Sequence, residues 1–134
     1  MTGLIIMRFN TFLDNKKTLE VINDTSIREI ILEHKTLSRM GRLDTKSLLS
    51  LTDTALNLGF SPVLQWDILC TESNFENCIN LLENLPLSKF AAIRVQDIGA
   101  AEWVRNELPE IPIHFIAETG NHNLTGLLRW HKYF

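Results

Sequence analysis

The sequence predicts an α/β fold, and within that class a partial (β/α) TIM-type barrel of about five parallel strands alternating with helices. Three observations carry this. Short apolar runs of strand length alternate with helix-like stretches about every 25 residues, the sign of repeated βαβ units. The runs are almost continuously apolar, as parallel strands covered on both faces are. No Gly-rich phosphate fingerprint, Walker loop or nucleophile elbow follows any strand, which disfavours a dinucleotide-binding open sheet or an α/β-hydrolase. A complete barrel needs ~250 residues. A chain of 134 residues therefore holds about five of the eight units, as one domain over residues 1–134.

Each element has its own signal. Residues 4–9 (Leu-Ile-Ile-Met-Arg-Phe) form a first strand-length apolar run, and residues 16–24 carry Leu19, Val21 and Ile22 at weakly helical spacing. Residues 27–32 are β-branched and apolar, a second strand. Asp44 is a good N-cap for a helix over 45–58, with Leu48, Leu51, Ala55 and Leu58 in a wide apolar stripe and Gly59 as the stop. Pro62 leads into a third strand over 63–69. A helix over 73–84 follows, with Phe75, Cys78, Ile79 and Leu82 turned inward and Pro86 beyond it. Residues 91–95 form a fourth strand, 100–108 a short helix closed by Pro109, and 111–116 a fifth strand. Asn123 or a neighbour then caps a last helix over 124–131.

Composition bounds the function. The chain is 45% hydrophobic and 22% charged, with a net charge of −3, so no global basic field draws it to nucleic acid or anionic lipid; a local basic patch stays open. No apolar run approaches a membrane span, and Met1 to Asn10 has no signal-peptide pattern. Cys70 and Cys78 are too few for a disulfide framework and read as reduced thiols. The expectation is a cytoplasmic, soluble protein.

The carboxyl ends of the strands carry the candidate chemistry, because ligands bind at this edge in parallel α/β folds. Glu33 to Arg39 follow the second strand, Asp67 ends the third, Gln96-Asp97 the fourth, and Glu118 to Asn123 follow the fifth. In Ser38-Arg39-Met40-Gly41-Arg42 the guanidinium forks suit a phosphate or carboxylate, or else pair with Glu33 or Asp44. Asp97 reads first as the cap of the following helix, with Gln96 beside it at the barrel mouth. His34, His114, His122 and His131 match no metal-ligand spacing. His114 lies mid-strand as a core or lumen residue, and only His122, beside Glu118, suits acid–base work. Cys78 falls on an apolar helix stripe, and Cys70 has no basic neighbour to lower its pKa. Trp66, Trp103 and Trp130 share no spacing and read as packing residues.

The second half has a family look. Ala91-Ala92-Ile93-Arg94-Val95-Gln96-Asp97-Ile98-Gly99-Ala100, then Val104-Arg105, then Leu108-Pro109-Glu110-Ile111-Pro112-Ile113-His114 and Asn123, resembles the collagenase-like peptidases, peptidase family U32. There a strand ends in Gln-Asp-x-Gly, a helix closes in a turn of Pro-Asp-Leu-Pro-Ile-His type, and the next strand ends in a polar residue, commonly Gln, followed by Asn. Glu118 stands at that Gln position, and Leu37-Ser38-Arg39 is similar to the family's Ser-x-Arg loop. The likeness runs from about residue 26 to 123. Before that, Asn10-Thr11-Phe12 replaces the family's Pro-Ala-Gly loop.

The resemblance implies the amino-terminal part of a peptidase-like barrel, an expected hydrolase or part of an RNA- or quinone-modifying enzyme. Some family members carry an iron–sulfur cluster on cysteines of a carboxyl-terminal region that Cys70 and Cys78 do not match, so no cofactor and no metal is expected in this chain. The expected site is Glu118 and Asp97 as catalytic groups, with Arg39, Gln96 and Asn123 binding substrate. Five strands leave two open edges and an uncovered inner face, which predicts a homo-oligomer or a partner that completes the barrel. The alternative to an enzyme is a non-catalytic subunit or binding module that completes such a barrel.

Overall fold

The computed structural model describes residues 8–118 and 123–132. The elements are β1 (Asn10–Phe12), α1 (Lys16–Ile22), β2 (Glu29–Glu33), α2 (Thr45–Asn57), β3 (Ser61–Trp66), α3 (Glu72–Glu83), β4 (Ala92–Val95), α4 (Ile98–Glu107), β5 (Ile113–Phe115) and α5 (Leu124–Trp130), with a 3₁₀ turn at Leu87–Lys89. Among the described residues all four strand pairings are parallel, in the order β1-β2-β3-β4-β5. An open doubly wound sheet reverses its strand order at a switch point; this sheet never does. Strict sequential order is the winding of a (β/α) barrel, and the chain holds five of its units.

Local chemistry sets the helix ends. Asp44 Oδ1 accepts from the Ser47 N–H at 2.8 Å to start α2, and Gly59 turns the chain out of it at φ 82°, a conformation that favours glycine. Thr71 and Asn74 form a reciprocal capping box on α3, so this helix begins earlier than its apolar stripe suggests. Asp97 caps α4 through the Ala100 N–H at 2.9 Å, and Asn123 caps α5 through the Gly126 N–H at 2.8 Å.

Alternation along the strands divides the core in two. Ile30, Leu32, Leu64, Trp66, Ile93 and Val95 face the helices and join the main core. Trp66 packs there against Phe75 and Trp103, with ring centroids 6.0 and 6.3 Å away. Ile31, Val63 and Ala92 form a second, small cluster on the other face. That face is concave: the Arg94 guanidinium of β4 stands 5.7 Å over the Phe12 ring of β1. These two side chains thus meet over the two strands that separate them, on the face away from the helices.

The first strand departs from the sequence expectation. Residues 4–7 of the expected run lie outside the described residues, Arg8 and Phe9 are not in a strand, and the pairing is made by Asn10-Thr11-Phe12 against Glu29, Ile30 and Ile31. This edge strand has one face on the concavity and is held partly by a side-chain bond, Asn10 Nδ2 donating to Glu29 Oε1 at 3.2 Å. It needs no apolar run, and hydropathy therefore misses it.

Candidate active site at the carboxyl ends of the strands

The loop from β2 to α2 is tightly laced. His34 is buried, its Nδ1 accepts from the Thr36 N–H at 3.0 Å, and its Nε2 lies 3.2 Å from Thr45 Oγ1. With Nδ1 accepting, the proton sits on Nε2 and is donated to Thr45. Burial, then the neighbouring Lys35, hold His34 below its ordinary pKa of 6.5, which keeps the ring neutral as this arrangement requires. The backbone then folds back, and the Gly41 N–H donates to the Ser38 carbonyl at 3.1 Å. A Cβ on Gly41 would lie 2.3 Å from the His34 carbonyl oxygen, so only glycine fits this approach.

The loop is tied to the end of β3 through Asp67. The Asp67 N–H donates to the Leu37 carbonyl at 3.1 Å, and its buried carboxylate accepts from the Arg39 N–H at 2.9 Å and from Arg39 Nε at 3.3 Å. Arg39 is thereby aimed along the rim, where its other edge meets Glu118, beyond β5, at 2.5 Å. The side chains of Arg39 and Glu118 are 51% and 55% exposed, so both stay open to a ligand. Bonds to Glu118 and then Asp67 raise the Arg39 pKa, and the guanidinium is a permanent cation. Ser38 Oγ donates to Glu33 Oε1 at 2.7 Å on the inner side of the same loop. A cleft of about 300 Å³ opens beside it, between Phe12, Asp14, Glu33, Met40 and Arg42.

Of the sequence-predicted residues, Arg39 and Glu118 are in contact. Arg39 pairs with Asp67 and Glu118 rather than with Glu33 or Asp44, and Arg42 lies 3.8 Å from Asp14. Asp97 has both oxygens on backbone: Oδ1 caps α4 and Oδ2 accepts from the Cys70 N–H at 3.2 Å. Gln96 is buried at the end of β4. Asn123 spends its side-chain oxygen on α5. His122 lies outside the described residues. Asp67, the anchor of the cluster, was visible in the sequence only as a charged residue closing an apolar strand.

Burial, then the Asp97 charge, push the Cys70 thiol up to about 12, and burial raises that of Cys78. Iron–sulfur clusters take thiolate ligands. Two protonated thiols, one half-buried and one buried among the helix-facing residues, do not fit that role. Among the described residues no cluster of three His, Cys, Asp or Glu side chains could hold a metal ion, and no helix is long and apolar enough to cross a membrane.

A sequentially wound partial (β/α) barrel with a charged rim at the carboxyl ends of its strands defines the class. The model of peptidase family U32 matches residues 16–134, and the chain belongs to that family. A solved structure, that of the U32 peptidase Mk0906, superposes with a TM-score of 0.77 over 99% of this chain and 57% of that one, at 12% sequence identity. The chain thus spans little more than half the length of that relative. No curated protein matches it.

Proposed function

We propose that this chain is the amino-terminal, substrate-holding part of a U32-type hydrolase barrel acting on peptide bonds, with Arg39 and Glu118 at the reacting end. The observation that carries the reading is the Asp67–Arg39–Glu118 chain of contacts, which joins the loops after β2, β3 and β5 at one rim. In this reading Glu118 takes a proton from a water molecule, and the resulting hydroxide adds to the peptide carbonyl carbon. The oxyanion that forms is held by the Arg39 guanidinium, which Asp67 keeps in place. Collapse breaks the C–N bond, and Glu118 returns its proton to the leaving amine. Asp97 acts as a positioning residue, through α4 and the Cys70 backbone. Gln96 and Asn123 are the proposed flanking contacts of the substrate. Two free thiols suit a reducing cytoplasm.

The test is cleavage of gelatin and of quenched fluorescent peptides by the purified chain. The reading expects activity that falls at least about a hundredfold in Glu118→Gln and in Arg39→Gln, with unchanged circular dichroism. A second reading, a non-catalytic subunit completing a barrel with a partner or a second copy, is favoured by the outer edges of β1 and β5, which pair with no other described strand. Absence of cleavage, together with a stable dimer or hetero-complex in sedimentation, would support it and overturn the first.

A further inference from the structure

The concave face carries a polar row that the rim chemistry does not use. Register places Glu33 of β2 beside Gln65 of β3, Gln65 beside Arg94 of β4, and Arg94 beside His114 of β5. These four residues form one layer across the sheet, above the apolar layer of Ile31, Val63 and Ala92.

One member of the row lacks a partner that its burial calls for, and a second has no counter-charge among the described residues. Gln65 is 4% exposed, and no donor reaches its Oε1 among the described residues. A buried acceptor left unmade is costly and rare in native structures. Arg94 is half-buried, and among the described residues no carboxylate lies within 4 Å of its guanidinium. Its cation instead rests on the Phe12 ring, out in the concavity. The Glu33 carboxylate of the same row already accepts from Ser38. A cation with no counter-charge among the described residues, an exposed imidazole beside it and a buried acceptor one strand away suit a ligand better than a packing surface.

We infer that this row is a binding site for a small carboxylate bearing an adjacent N–H donor, of which an N-acylated amino acid is the simplest form. The carboxylate pairs with the Arg94 fork, with His114 at its flank. The N–H donates to Gln65 Oε1 once the carboxamide turns toward the concavity, and the exposed Phe12 ring flanks the substituent. The site lies inside the concavity, apart from Arg39 and Glu118, and does not depend on the hydrolase reading.

The experiment is an amide ¹H–¹⁵N titration of the intact chain with N-acetylglycine, N-acetylsarcosine and N-acetylglycine methyl ester. N-acetylglycine is expected to shift the Gln65 side-chain amide and the His114 backbone in a saturable way below about 20 mM. N-acetylsarcosine keeps the carboxylate without the N–H and is expected to bind roughly tenfold more weakly; the uncharged ester is expected to be weaker still. Arg94→Gln is expected to abolish binding. Arg94→Lys, which keeps the charge without the fork, is expected to weaken binding and retain the preference for the N–H. Arg39→Gln is expected to bind as the wild type does, which separates this site from the rim. Absence of saturable shifts in the wild type, equal binding of the glycine and sarcosine compounds, or full binding by a folded Arg94→Gln would each overturn the inference.

Discussion

Asp67 is the residue on which the rim geometry turns, and its removal makes a graded prediction. In Asp67→Ala the Arg39 N–H loses a charge-assisted bond of 2.9 Å in a part-buried loop and keeps no acceptor. Such a loss costs about 1.5–3 kcal/mol. The guanidinium contact at 3.3 Å adds little, because the Arg39 side chain is half in water. Truncating a buried side chain at the end of β3 leaves some unfilled space, so a total of about 2–3 kcal/mol is expected. At this length each kcal/mol shifts Tm by about 3–4 °C, which gives a drop of roughly 7–10 °C in differential scanning calorimetry. Asp67→Asn keeps an oxygen for the Arg39 N–H and loses only the charge, so its drop should be less than about half as large. The two variants should nevertheless lose the Arg39–Glu118 alignment alike. A Tm within about 2 °C of wild type for Asp67→Ala, or an equal drop in Tm for the two variants, would refute the assignment of Asp67 as the anchor.

His34 and Cys70 give two further expectations. The folded state holds the His34 pKa below its unfolded value of 6.5, so the unfolded chain binds the extra proton first and stability falls as pH drops below about 6.5. Urea midpoints measured from pH 7.5 to 5 should decline for the wild type, and the part of the decline due to this ring should vanish in His34→Gln; an unchanged slope would count against a buried neutral histidine. With its thiol pushed up to about 12, against 9.0 for an ordinary cysteine, Cys70 should react with an aromatic disulfide reagent at pH 8 about a thousandfold more slowly than a free thiol. A rate near that of free cysteine would show the loop after β3 to be open.

Much of the architecture was legible because the parallel interior is written in hydropathy. Ile30 to Leu32, Val63 to Leu64 and Ala92 to Ile93 are buried on both faces and read as apolar runs. Asp44, Gly59 and Asp97 mark their helix ends by chemistry that is local in sequence. The first strand was displaced because Asn10-Thr11-Phe12 pairs at an edge, with its polar side chains serving the pairing. The site was only half legible. Arg39 and Glu118 stood out as ionisable residues after strands, but their contact spans 79 residues and depends on how far the sheet curls. The partners expected for Arg39 were near in sequence, whereas Asp67 is near only in space. The row from Glu33 to His114 was invisible for the same reason: register, which sequence alone does not fix, aligns Gln65 with Arg94 and Arg94 with His114.

The central claim is that five parallel strands, wound in sequence, bring the side chains of β1 and β4 together on one face of the sheet. Nuclear Overhauser contacts between the Phe12 ring and the Arg94 side chain read this directly, since the guanidinium stands 5.7 Å from the ring centroid. Cross-peaks from the ring protons to Arg94 Hδ and Hε, with ring-current shifts of those protons that vanish in Phe12→Leu, are the predicted result. Arg94 resonances indifferent to that substitution, with no contact to Phe12, would contradict the account.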